Sequence, residues 1–251
     1  HPGFLNPSSV AKWGATIDNL TQGRWSINVT SGWNMQEFDM YGVDKLDHDS
    51  RYERSAEFIE VIRGAWDHVP FSYKGKYYQI DAVQLEPRPV SGLEVFQGGQ
   101  SDAAVKLGAS HSDWMFLNGG SKERISDVVT RVNQASKETG RKVRFGMYAA
   151  PLCRKTDGEA WEEIDSMLSK VDRSLAEERV KRTSGAQGMW SGSDPLSVLD
   201  TNEGYASRLI GSPETILERI LEYHALGVEM LHLDLRDDLF NEVVLPELRS
   251  I

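Results

Sequence analysis

The chain has 251 residues, 39% of them hydrophobic and 9% aromatic, enough for one large core or two small ones. A formal net charge of −10 argues against nucleic acid or an anionic membrane surface as partner. The single cysteine, Cys153, leaves no internal disulfide and fits a reducing cytoplasm, and no apolar run approaches the roughly 20 residues needed to span a bilayer.

His1-Pro-Gly-Phe and Pro7 read as a loop entering a helix, as though the chain starts in the middle of a fold. Val10, Trp13, Gly14, Ile17 and Leu20 recur at three- and four-residue spacing, which predicts a helix over 7–20. After a turn at 21–24, an apolar run predicts a strand at 25–30 that ends in small polar residues. A long loop leads to a helix over 49–68, capped by Asp47 or Asp49. A hairpin centred on Lys74-Gly75 occupies 71–80, and Pro87, Pro89 and Gly92 introduce a strand at 93–97. A helix at 102–109, a strand at 113–117, a helix at 122–140, a strand at 143–153 and a long helix at 157–182 follow. Ser212-Pro213-Glu214 has the cap, first-turn proline and acidic residue of a helix start, so 213–225 is helical. A strand at 230–235 and a helix from 238 end the chain.

Five short apolar strands alternating with helices imply an α/β fold on a parallel sheet buried on both faces. An open doubly wound sheet satisfies that pattern, and so does most of an eight-stranded barrel. Residues 185–207 are rich in Gly, Ser, Asp and Asn around Met189, Trp190 and Tyr205, and read either as a mobile, water-excluding lid or as a plain connection.

Ligands of α/β proteins bind beyond the carboxyl ends of the strands. Asn28 and Thr30, two apart on the first strand, share one face and aim an amide and a hydroxyl at that end. They are either ligand contacts or a polar layer satisfied by neighbours. Gly98-Gly99-Gln100-Ser101 bends from a strand into a helix, where free N–H groups and the helix dipole favour an anion that glycine lets approach closely. Trp33 walls a pocket or packs its loop, and Tyr52 faces the site or is an ordinary helix residue. Arg51 reads as a salt-bridging surface group, and His232 as a core or rim histidine. There is no nucleophile elbow and no histidine–carboxylate spacing for a metal, so no residue is assigned as catalytic.

The motifs His1-Pro-Gly-Phe, Ala15-Thr-Ile-Asp18, Asn28-Val-Thr-Ser-Gly-Trp33, Arg51-Tyr52, Gly75-Lys-Tyr-Tyr78, Phe96-Gln-Gly-Gly-Gln-Ser-Asp-Ala-Ala104 and Leu209-Ile-Gly-Ser-Pro-Glu214 carry a resemblance. The chain resembles the bacterial luciferase-like flavin monooxygenases. Within them it is most similar to the two-component branch that oxidises sulfones, alkanesulfonates and pyrimidines, and nearest to its dimethyl sulfone-oxidising members. The resemblance implies a (β/α)8 TIM barrel with reduced FMN (FMNH2) at the carboxyl ends of its strands. The five strands found here are then the fourth to the eighth. Residues 1–251 then form a single barrel domain lacking its amino-terminal portion, with open sheet edges for which a partner chain, a swapped segment or disorder accounts.

By the same resemblance, Asn28, Thr30, Tyr52, Gly98, Gly99, Gln100 and Ser101 bind the flavin, and Trp33, Tyr148 and Trp190 line the substrate pocket. A separate NAD(P)H-dependent reductase supplies FMNH2, O2 is the co-substrate, and the enzyme is a cytoplasmic homo-oligomer. Where the alkanesulfonate enzymes carry an arginine and a histidine, Met147-Tyr-Ala-Ala150 offers Tyr148 and no cation, which favours a neutral sulfone. A flavin- or deazaflavin-dependent reductase on the same barrel and a non-catalytic fragment of the fold are the alternatives.

Overall fold

The structure, a computed structural model, describes residues 1–172, 174, 177–178 and 194–249. Its elements begin with α1 (Pro7–Thr21), β1 (Ser26–Val29), α2 (Met35–Met40), α3 (His48–Asp67), β2 (Phe71–Lys74) and β3 (Gln79–Val83). They continue with β4 (Glu94–Gly98), α4 (Asp102–His111), β5 (Trp114–Leu117), α5 (Lys122–Thr139), β6 (Arg144–Ala149), β7 (Leu152–Cys153) and α6 (Asp157–Ser169). Last come β8 (Ile210–Gly211), α7 (Pro213–Ala225), β9 (Val228–Leu233), a π turn (Phe240–Val244) and α8 (Leu245–Leu248). The sheet order is β1-β4-β5-β6-β9, so the expected five-stranded parallel sheet is present and, among the described residues, does not close into a barrel. No described helix is long and apolar enough to cross a membrane. The chain divides into two compact units, His1–Met115 with Val132–Val143, and Phe116–Arg131 with Arg144–Ile251.

In the first unit, β1 and β4 pair in parallel, and the predicted hairpin is the antiparallel pair β2–β3. Helix α1 has the expected period, and its inner face keeps Val10 and Gly14 of the expected set but not Trp13, Ile17 or Leu20. Val10, Ala11, Gly14, Ala15 and Asp18 are buried, while Trp13, Ile17 and Leu20 are exposed. Small residues let α1 approach α3 closely, close enough for Trp66 Nε1 to donate to the Ala11 carbonyl at 3.1 Å. The core behind the strands joins Val10, Ala11 and Ala15 to Phe58, Ile59, Ile62 and Trp66 of α3 and to Val29 and Val95. Asp18, fully buried, accepts hydrogen bonds from Val90 N (2.7 Å), Ser91 N (2.9 Å) and Ser91 Oγ (2.6 Å), which fixes the turn leading into β4.

In the second unit, β6 and β9 pair in parallel with Tyr148 opposite His232. The predicted strand 143–153 is two strands, because Pro151 has no N–H to continue the ladder. Beyond it the backbone turns to a new partner: Leu152 N donates to Leu209 O at 2.8 Å and Arg154 N to Gly211 O at 3.0 Å. Helix α6 opens on the Thr156–Glu159 capping box and ends at Ser169; of the rest of the predicted 157–182 helix, residues 174, 177 and 178 are helical, and 173, 175–176 and 179–182 lie outside the described residues. Lys170 N and Val171 N bond back to Met167 O and Leu168 O, tightening its last turn. Of the expected 185–207 loop, 185–193 lie outside the described residues, and 194–207 contain two 3₁₀ turns, Pro195–Val198 and Gly204–Ser207.

Candidate functional site

The first unit gathers most of the expected flavin residues. Strands β1 and β4 run in register, Asn28 opposite Phe96 and Val29 opposite Gln97, so Thr30 and Gly98 leave the sheet side by side. Alternation sends Val29 and Val95 into the helix-packed core and Asn28, Thr30 and Gly98 to the opposite face, where Asn28 and Thr30 are exposed. Gly99 then turns the chain at φ +121°, a conformation that L side chains rarely adopt. A Cβ there would lie 2.7 Å from Tyr52 Oη and 2.9 Å from Ala104 Cβ, so the turn closes tightly only around a glycine.

Ser101 is the N-cap of α4, its hydroxyl accepting from Ala104 N at 3.3 Å. Gln100 and Ser101 are buried. Burial pushes the Tyr52 phenol above its ordinary pKa, against its hydrogen bond with Ser101 and the charge of Arg51, so it stays a neutral hydroxyl. The structure thus brings Tyr52, Gly99 and Ser101 into one cradle at the head of α4, with the ends of β1 and β4 beside it. Trp33 is half-buried in the loop between β1 and α2.

Three residues here escape a reading of the sequence. Arg51 is buried, contrary to its expected surface role: its Nε donates to Gly32 O at 3.1 Å and Nη1 to Leu46 O at 2.8 Å, tying down the loop that carries Trp33. Ser55 meets Ser31 hydroxyl to hydroxyl at 2.7 Å beneath the same loop. Gln97, fully buried, donates its side-chain amide to the Gly98 carbonyl and so braces the glycine turn from the core side. No local motif marks any of them.

In the second unit Tyr148, half-buried at the end of β6, meets His232 edge-on with ring centroids 5.7 Å apart. Phe116, at the end of β5, completes the group 5.8 Å from His232. Gly204 packs its backbone on Tyr148, whose Cε1 lies 2.6 Å from where a Cβ would stand. His232 is therefore an exposed neighbour of Tyr148, the rim position of the two expected for it. Asp200 accepts from the N–H groups of Asn202 (2.8 Å), Gly204 (3.0 Å) and Tyr205 (3.1 Å), holding that turn in place. Glu203, buried, receives both Nη groups of Arg124 at 3.0 and 2.9 Å. Trp190 lies outside the described residues. A cavity of about 640 Å³ lined by Ser121, Arg208, Thr215, Arg219 and Tyr223 shares no residue with the Tyr148 group.

With that geometry in place, three comparisons bear on the chain. The model of a family described as luciferase-like monooxygenase matches residues 1–230. An FMNH2-dependent dimethylsulfone monooxygenase of Pseudomonas fluorescens (strain Pf0-1) is 35% identical over 262 residues, covering 100% of this chain and 72% of that protein. One with the same name from Pseudomonas putida is 35% identical over 264 residues, covering 100% of this chain and 73% of its own. The crystal structure of a long-chain alkane monooxygenase superposes with a TM-score of 0.79 at 20% identity, covering 99% of this chain and 68% of that one, which speaks for the fold alone.

Proposed function

The chain belongs to the luciferase-like monooxygenase family, and on that premise we propose a monooxygenase of a small neutral organosulfur compound, dimethyl sulfone or a close relative. It takes FMNH2 from a separate NAD(P)H-dependent reductase and O2 from solution. The observation that carries this reading is the Gly99 turn, a cradle at a capped helix start that a single Cβ would fill.

Residues present fit a phosphorylated flavin. Backbone N–H groups of Gly99, Gln100 and Ser101 and the head of α4 would receive the phosphate. The Tyr52 hydroxyl, kept neutral by burial, offers a hydrogen bond without adding a charge beside it. Asn28 and Thr30 offer an amide and a hydroxyl to the polar edge of the ring system. Reduced FMN with oxygen supplies the oxygenating chemistry, which the protein orients and shields. Tyr148, Trp33 and Trp190 are assigned to the substrate. Tyr148 donates a hydrogen bond to a sulfone oxygen without bringing a cation. Residues 1–251 belong to one luciferase-like barrel domain, and the protein acts in the cytoplasm as a homo-oligomer.

Oxygen consumption with enzymatically reduced FMN tests the proposal. Uptake that depends on dimethyl sulfone and consumes it is the expected result. Turnover of a substrate that proceeds equally without oxygen, or no response to sulfone, would overturn it.

A further inference from the structure

The carboxylate of Asp234, one residue past β9, closes on the guanidinium of Arg236 from two directions. Arg236 Nε lies 2.8 and 2.9 Å from its two oxygens, and Nη2 also donates to Oδ2. The backbone holds Asp234 in place, its N–H bonded to Ala149 O at 3.1 Å, and its side chain is only 18% exposed against 86% for Arg236. A long, exposed arginine at a strand end is free to sweep the mouth of that strand. This one is folded back onto its own carboxylate.

Both charges act on the site residues: the phenols of Tyr148 and Tyr205 are raised first by burial, then by Asp200 and Asp234, while Arg236 opposes. Asp200 spends its oxygens on three backbone N–H groups. Asp200, Asp234 and Arg236 together carry a formal charge of −1 around Tyr148 and Tyr205.

Resting on the function proposed above, we propose that Asp234 sets the charge preference of the substrate site. By holding Arg236 neutralised at the strand end beside Tyr148, it admits neutral sulfones and turns away sulfonate anions. Asp234 is a positioning residue in this account, since it acts through Arg236.

The test compares dimethyl sulfone with methanesulfonate in the flavin-loaded enzyme. Asp234→Asn should raise the methanesulfonate-to-sulfone ratio of kcat/KM at least about tenfold, through KM and not kcat, and added salt should erode the gain because the freed charge is exposed. Arg236→Gln in the Asp234→Asn background should abolish the gain. Arg236→Gln alone, a fully surface change, should lower the ratio about threefold. An unchanged ratio in both single variants, or a gain that survives removal of Arg236, would overturn the inference. If the wild type turns over neither compound, the function proposed above fails instead. Calorimetric titration of methanesulfonate into wild type and Asp234→Asn with reduced FMN under argon then still decides the charge question: tenfold tighter binding by the variant supports it, and equal binding refutes it.

Discussion

The cradle at Gly98–Ser101 and the cluster at Tyr148 sit at strand ends in the two units and are built from different material. The first is backbone: a glycine at φ +121°, a helix start capped by Ser101, and side chains such as Gln97 and Tyr52 that serve mainly to hold the turn. The second is side chain: three rings from β5, β6 and β9 with a carboxylate–guanidinium pair at its rim. A backbone cradle suits a group common to many reactions, because N–H groups bind any phosphate. A side-chain cluster suits what differs between relatives, because one substitution changes its shape or charge without disturbing the fold.

If that contrast is right, the cradle tolerates least. Gly99→Ala has to force a Cβ to within 2.7 Å of Tyr52 Oη at a backbone angle alanine avoids, so reduced-FMN affinity should fall about 100-fold, about 3 kcal/mol. Fluorescence titration under argon reads this, and wild-type affinity in the variant would break the comparison. The support behind the cradle comes next. Asp18→Asn keeps the shape but removes the charge that two N–H groups and a hydroxyl share, costing about 2 kcal/mol of stability by denaturant unfolding.

The same residue gives a pH signature. Burial alone would raise the Asp18 carboxyl, but the hydrogen bonds from Ser91 and Val90 outweigh it and hold the pKa below the ordinary value. Its stabilisation is therefore complete above the unfolded pKa, about 4, and is lost as pH falls through the lower folded value. Wild-type Tm should drop over that acid range more steeply than that of Asp18→Asn, and parallel curves would contradict the assignment. The smallest effect belongs to the side-chain cluster. Tyr148→Phe should raise KM for dimethyl sulfone about fivefold, about 1 kcal/mol for one hydrogen bond, with reduced-FMN affinity kept. A matching loss in flavin affinity would blur the two roles.

The contrast also explains what could be read in advance. Strand periodicity, the proline and glycine punctuation and the Ser212-Pro213-Glu214 start placed the sheet strands and most helices, because these signals are local. The glycine turn was legible for the same reason. Arg51 was not: whether an arginine on a helix is buried depends on a loop some twenty residues earlier closing over it, here through Gly32 O. The inner face of α1 was legible only at Val10 and Gly14, because large apolar residues weigh most in a periodicity whereas close helix packing selected Ala11 and Ala15. Nothing in sequence spacing shows that His232 meets both Tyr148 and Phe116, since that depends on register between strands far apart in the chain.

Ser101→Asp offers the most direct test of the central claim, that the head of α4 binds the flavin phosphate. Aspartate caps helices as well as serine does, so the fold and α4 should persist by circular dichroism while a negative charge enters the cradle. Titration of reduced FMN under argon should then show affinity at least about tenfold weaker than wild type, with the loss reduced at high salt. Affinity equal to wild type in the folded variant would place the phosphate elsewhere and contradict the account.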